Sequence, residues 1–386
     1  MDPIYLDHAA TTPLRPEAQE AMAPYLDREW GNPSSVHRWG RSARNAVEEA
    51  RERVAEALGV SATEVFFVRG GTEADNLAFL GRTRSARAGG NGVRAALTTV
   101  EHSALREAAA QAEREGAQVY RLSVSPGGEV DLEALDRFLG EGGAVVSVMW
   151  VNNETGLRLP VEQVAQRCRA HGVPFHTDAV QALGRVPVEL ASVPWDLVTF
   201  SAHKVGGPKG AAVLLARDVE SLAPLHYGGG QEHGLRPGTE DVAGAVGLAR
   251  AVGLAVEERE AEEARLTRLR ESLEAGLRAR IRNLRVHGEE GIRAPHLLNV
   301  GVPGLDAAAL VMSLDLAGVA ASQGSACRSG SSTGSPVLEA LYGEEVEGVA
   351  TLRLSLGWTT GPEQVEEAVR RIASTVEKLL EMEAAS

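Results

Sequence analysis

Cysteine is almost absent: Cys168 and Cys327 are the only two in 386 residues. That excludes a disulfide framework and a zinc site assembled from CxxC pairs, and no metal site is expected. Basic excess is missing as well. The formal net charge is −14, with Arg residues interleaved with Glu rather than gathered into a stripe, so direct binding to nucleic acid or to an anionic membrane is disfavoured. No apolar run reaches membrane-spanning length, since "VAGAVGLARAVGLAV" is interrupted by Arg250. The opening "MDPIYLDHAATTP" lacks a basic segment followed by an apolar one, and the expected location is the cytoplasm. Low-complexity sequence is confined to "SQGSACRSGSSTGS", residues 322–335, which holds Cys327.

What remains is ordinary globular material, 44% hydrophobic and 24% charged, long enough for two or three domains. Between residues 60 and 220, short runs rich in β-branched residues alternate with helical patterns: "EVFFV", "VRAALTTV", "AQVYRL", "AVVSVMWV", "VPFH", "DLVTF" and "AAVLLA". This predicts an α/β domain around a mostly parallel sheet. From about residue 251 a long charged helix is expected, with Leu266, Leu269, Leu273, Leu277 and Ile281 on one face. The strands "HLLNVGV", "GVAAS" and "TLRLSL" follow, then a closing helix begun by Pro362 with Val365, Val369, Ile372 and Val376 turned inward. That second part reads as α+β. Cys168 lies at helical spacing from Val161 and Val164 and reads as a packing residue.

Four features share one chemistry. Lys204 follows the buried-type strand "DLVTF", where the ends of parallel strands form ligand crevices; a lysine there can form a Schiff base. Asp178, just beyond another strand, can hold a pyridine nitrogen protonated. Gly70, Gly71 and Thr72 lead from a strand into a helix, leaving backbone N–H groups for a phosphate. His102 ends "LTTVEH" with a flat ring suited to stacking or proton relay. Each alone has a commoner reading, as a solvated lysine, a capping aspartate, a plain turn or a structural histidine. Together they supply an aldehyde anchor, a ring-nitrogen partner, a phosphate cradle and a stacking ring, which fit pyridoxal 5'-phosphate.

The segments "YLDHAATTP", "GNPSSVHRWG", "GGTEADNLA", "TVEHSAL", "VNNETG", "HTDAVQALG", "FSAHKVGGPKG", "GGGQEHGLRPGT", "SQGSACRSG" and "LRLSLG" resemble, in order over nearly the whole chain, those of cysteine desulfurases of the NifS/IscS type. The resemblance implies the aspartate-aminotransferase-like (type I) pyridoxal-phosphate fold. Residues 15–250 would form the large cofactor domain with a mostly parallel seven-stranded sheet, and residues 1–14 with 251–386 the smaller α+β domain carrying the cysteine loop. It implies a homodimer and conversion of L-cysteine to L-alanine, with sulfur left as a persulfide on Cys327 for an acceptor protein in iron–sulfur cluster, thio-cofactor or tRNA synthesis.

By the same resemblance Lys204 binds the cofactor aldehyde, Asp178 pairs with the ring nitrogen, and His102 stacks on the ring and serves proton transfer. Asn153 and Gln181 face the phenolic oxygen. Gly71, Thr72, Ser201 and His203 hold the phosphate, with Thr239 reaching over from the other subunit. Arg353 grips the substrate carboxylate, with Asn153 beside it. A glycine- and serine-rich loop suits a thiol that must travel between cofactor and acceptor, and Arg328 would favour the thiolate. Two positions depart from the family pattern. Gly206 replaces a bulky residue and is expected to loosen the turn after Lys204; Val180 replaces a threonine and removes a hydroxyl near the ring. The sequence ends with "EKLLEMEAAS", and docking of a scaffold protein through the longer tail of some members is not expected. The rival activities are a selenocysteine lyase or other β-lyase on the same fold, and a sulfur carrier without catalysis.

Overall fold

The computed structural model describes residues 2–88, 92–324 and 334–385. Its largest sheet has seven strands in the spatial order Val65–Val68, Ala212–Ala216, Leu197–Ser201, Phe175–Asp178, Val145–Ser147, Arg94–Thr98, Gln118–Leu122. Ala212–Ala216 runs antiparallel to both neighbours and the other pairings are parallel. Each strand coincides with one of the seven apolar runs. The four central strands are buried along their whole length, as continuous rather than alternating apolar runs require when helices cover both faces. The parallel strands end together along one edge, at Thr98, Ser147, Asp178 and Ser201. A crevice for a ligand forms at such an edge.

A second apolar core lies around a three-stranded antiparallel sheet, Val349–Ser355, Leu297–Pro303 and Arg285–His287. Leu266, Leu269, Leu273 and Leu277 of the helix Arg259–Arg280 pack there with Val365, Val369, Ile372 and Val376 of the closing helix Pro362–Ala385. The chain start joins this core: Ile4–Tyr5 pairs in parallel with Val319–Ala320. Leu273 is fully buried, so Leu273→Ala is expected to cost about 2–5 kcal/mol, read as a lowered midpoint in urea unfolding.

Two details differ from the sequence-based expectation. The long helix from about residue 251 is two helices, Val242–Glu257 and Arg259–Arg280. The first is apolar on nearly every side and its Ala251, Val252 and Ala255 belong to the core of the large sheet; the second is an amphipathic stripe facing the smaller one. The strand Arg285–His287 carried no apolar run; its pairing to Leu297–Pro303 creates it. Cys168 is fully buried, as expected, and burial pushes its thiol up to about 12.

Candidate active site

The buried strand Leu197–Ser201 passes into a single helical turn, Ala202–Lys204. Lys204 Nζ donates to the carbonyls of Ala9 at 2.6 Å and Ala10 at 2.8 Å. The N-terminal segment is tied down beside it: Thr12 Oγ1 donates to His203 O at 2.8 Å and accepts from Gly206 N at 2.8 Å. Gly206 does not loosen this turn. It sits at φ +85, and a Cβ there would lie 2.5 Å from Arg15 Cγ, so glycine is what allows the backbone to press against Arg15.

Asp178 ends its strand with its carboxylate inside the cavity. Burial raises it to about 6, against the opposing pull of the Val180 N–H, which donates to Oδ1 at 2.9 Å, and of the Lys204 charge. The carboxylate is buried, and burial outweighs the Val180 N–H and the Lys204 charge that favour its ionised form. A protonated ring nitrogen is the kind of group that would complete it. Behind it, Asp75 is buried and pushed well up by burial and by Asp178. His176, between Ser147 Oγ at 2.8 Å and Thr199 Oγ1 at 3.0 Å, is lowered to about 3 by burial and stays neutral.

His102 caps the helix Ser103–Arg114, its Nδ1 accepting from Ala104 N at 3.2 Å. In the neutral ring the proton is therefore on Nε2. Burial first, and the Lys204 charge next, lower this histidine to about 4. The ring on the cavity wall is flat and uncharged at pH 7.

The adjoining Glu101 accepts from Thr98 Oγ1 at 2.6 Å and from Met149 N at 2.9 Å, both on Oε1, and burial raises it from 4.5 to about 8. The folded chain holds a proton there that the unfolded chain releases. Because the folded value is the higher one, this stabilisation is complete below about pH 4.5 and fades as pH rises through 8. Glutamine copies the neutral acid and keeps the Oε1 acceptor. Glu101→Gln is expected to melt with the parent at pH 5 and several degrees above it at pH 9; parallel melting curves across that range would contradict the assignment.

At the opposite end, Gly71 and Thr72 open the helix Gly71–Asn76 beside Ser201, whose buried Oγ has no hydrogen-bond partner among the described residues. His203 completes this corner, its Nδ1 3.2 Å from Thr11 Oγ1; burial and Lys204 lower it to about 4. Asn153 Oδ1 is likewise buried and unpartnered among the described residues. Gln181 is fixed, donating to Ala9 O at 3.0 Å and lying 3.1 Å from His296 Nε2 through Oε1. Arg353 is buried; its Nη1 donates to Asn153 O and its Nη2 to Asp7 Oδ1, each at 3.0 Å, which aims the guanidinium at the same cavity.

One cavity therefore brings together Lys204, Asp178, His102, Asn153, Gln181, Gly71, Thr72, Ser201, His203 and Arg353. Thr239 is exposed and outside it. Cys327 and Arg328 lie outside the described residues. Sequence reasoning missed the carbonyls of Ala9 and Ala10, and also Asp75 and Met149, which line the same cavity. Asp75 left a signal: it sits among Ala74, Leu77 and Ala78, on the buried side of its helix.

Residues 4–368 match the family model of class-V aminotransferases. The cysteine desulfurase IscS of Dictyoglomus turgidum is 38% identical over 376 residues, 97% of this chain and 95% of that one. The chain belongs to the cysteine desulfurases of the class-V aminotransferase family. Among solved structures, a NifS-like protein superposes with a TM-score of 0.90 at 32% identity, covering 98% of this chain and all of the other. SspA in complex with cysteine superposes with a TM-score of 0.75 at 29% identity, over 92% of this chain and 98% of that one. The desulfurase fold is thus the pyridoxal-phosphate type I fold, and the family depends on that cofactor. The cavity fits it: the buried Asp178 carboxylate for the ring nitrogen, Ser201 and Asn153 oxygens without a partner among the described residues, and Lys204 among them. Among the described residues no group of three or more His, Cys, Asp or Glu is placed to hold a metal ion, and no helix is long and apolar enough to cross a membrane.

Proposed function

We propose that this desulfurase takes the sulfur of L-cysteine onto Cys327 and passes it to an acceptor protein, with the following division of labour. Bound pyridoxal 5'-phosphate supplies an electron-accepting ring, and the protein supplies everything else. Lys204 would hold the cofactor aldehyde through its amine, and that amine would serve as the base for the substrate Cα proton. Asp178 pairs with the ring nitrogen and keeps it protonated. His102 would stack on the ring and, neutral with its proton on Nε2 and its Nδ1 held by the Ala104 N–H, would serve proton transfer as a donor through Nε2. Asn153 and Gln181 hold the phenolic oxygen, and Gly71, Thr72, Ser201 and His203 the phosphate. Arg353 binds the substrate carboxylate with its planar fork.

The sulfur step is a displacement. The Cys327 thiolate attacks the substrate sulfur, the Cβ–S bond breaks with its electron pair left on carbon, and protonation of that carbon, with the proton taken from Cα returned to Cα, yields alanine while Cys327 carries the persulfide. Two chains act together as a homodimer in the cytoplasm, Thr239 of each completing the phosphate site of the other. The cofactor domain extends past the expected boundary at 250 to the end of the helix Val242–Glu257, whose Ala251, Val252 and Ala255 pack in the large core; residues 1–14 with those from Arg259 on form the smaller domain, which the separate apolar core around Leu266, Leu273 and Val365 supports.

The observation that carries this reading is the convergence of Lys204, Asp178, His102 and Arg353 on one cavity. L-Cysteine given to the cofactor-loaded protein with a thiol reductant should yield alanine and sulfide in equal amounts. Pyruvate and ammonia in place of alanine would overturn the reaction assigned here.

A further inference from the structure

The strand Val65–Val68 ends the large sheet on one side, paired among the described residues with Ala212–Ala216 alone. An edge strand presents unpaired N–H and C=O groups along its open side. Two of them are covered here by side chains of opposite charge. Arg51 Nη1 donates to Val65 O at 2.5 Å, and Phe67 N donates to Glu232 Oε2 at 3.0 Å. The two side chains also close on each other, Arg51 Nη2 on Glu232 Oε1 at 2.8 Å and Nη1 on Oε2 at 3.0 Å. Both are buried, so this fork-on-fork pair is directional and little screened. It occupies the place of a missing neighbouring strand.

Glu232 reaches the strand from an unusual backbone. Glu232 (φ 47, ψ 48) and His233 (φ 55, ψ 29) are both left-handed, a conformation that residues with side chains rarely adopt and that persists where surroundings over-determine it. Beyond the ion pair, the His233 ring meets Phe66 edge-on at 5.7 Å, and Leu235 is buried.

The two segments joined in this way both lead to a phosphate. The strand runs directly into Gly71 and Thr72; the loop runs on to Thr239. Two further ion pairs follow the same seam, Arg236 Nε to Glu73 Oε1 at 3.2 Å and Arg69 Nη1 to Asp241 Oδ2 at 2.6 Å. The side chains of Arg69 and Asp241 are 48% and 38% exposed, so water and salt weaken that pair. Arg51 and Glu232, at 9% and 3%, are the shielded one.

We propose that Arg51 and Glu232 are positioning residues for phosphate recognition: their buried pair sets the spacing between the Gly71–Thr72 turn, which serves the chain's own cofactor, and Thr239, which the chain lends to its partner. Neither residue lines the cavity assigned to the cofactor. The inference rests on the phosphate roles given above to Gly71, Thr72 and Thr239.

An Arg51→Met, Glu232→Leu double variant fills the space with apolar groups and leaves no lone charge buried. The full-length chain, freed of cofactor and shown folded by circular dichroism at the working temperature, is titrated with pyridoxal 5'-phosphate and with pyridoxal, which lacks the phosphate. Pyridoxal affinity reports the ring site, and the ratio of the two affinities reports the phosphate site. The ratio should fall about tenfold or more, because small misplacements of charge-assisted donors are costly, while pyridoxal affinity stays at the parent value. An unchanged ratio, or an equal fall in both affinities, overturns the proposal. Thr239→Val is measured alongside. If it lowers the ratio and the double variant does not, the Arg51–Glu232 role fails and the Thr239 role stands; if neither lowers it, both fail.

Discussion

Lys204→Ala is expected to lose alanine formation by a factor on the order of 10³ or more, the scale set by removing a positioned proton-transfer group together with the covalent attachment point. No neighbouring amine can take over. The chain has three lysines, Lys204, Lys209 and Lys378, and among the cavity-lining residues only the first is one. The backbone at this position is set by the Ala202–Lys204 turn and by Thr12 Oγ1, which donates to His203 O and accepts from Gly206 N, neither of which depends on the amine itself. The variant should therefore fold and still bind pyridoxal 5'-phosphate through Asp178 and the phosphate corner, but with the absorbance of the free aldehyde. Partial recovery of turnover by an added small primary amine would identify the missing function as the amine. Turnover within tenfold of the parent would remove Lys204 from the proton-transfer role.

Cys327→Ser is expected to leave cofactor uptake and its absorbance as in the parent, and to lower sulfur transfer from L-cysteine by about 100-fold or more, since a serine hydroxyl is hardly ionised at neutral pH and the thiolate is the nucleophile. The second thiol offers no substitute: Cys168 is fully buried, and burial raises it to about 12. The split between intact cofactor chemistry and lost transfer is the informative part. A Cys168→Ser variant should behave as the parent. Alanine and sulfide released at the parental rate by Cys327→Ser would place the rival β-lyase chemistry ahead of the persulfide route.

Much of this site was legible in the sequence because its side chains come from strand ends, where an apolar run stops and a polar residue follows. Asp178, Lys204 and Gly71 all sit so. Arg353 is different: it lies within the strand Val349–Ser355, and only the likeness to a known family marked it out. The ionisation of the residues behind these side chains was not legible. Asp75, Glu101 and His176 acquire their perturbed ionisation from burial behind the sheet edge, which depends on packing between segments far apart in sequence. The same holds for Gly206. Against a family pattern it looks like a loss of bulk, yet its left-handed backbone and the approach of Arg15 make it a fitted position. The Arg51–Glu232 pair spans 181 residues, and nothing local in either segment announces it.

The most direct test is to treat the cofactor-loaded protein with L-cysteine in the absence of reductant, block free thiols, digest it, and weigh the peptides that carry Cys168 and Cys327. One additional sulfur atom on the Cys327 peptide, with none on Cys168 and none in the Lys204→Ala variant, is the predicted result. Alanine produced in normal yield while the Cys327 peptide keeps its original mass would contradict it.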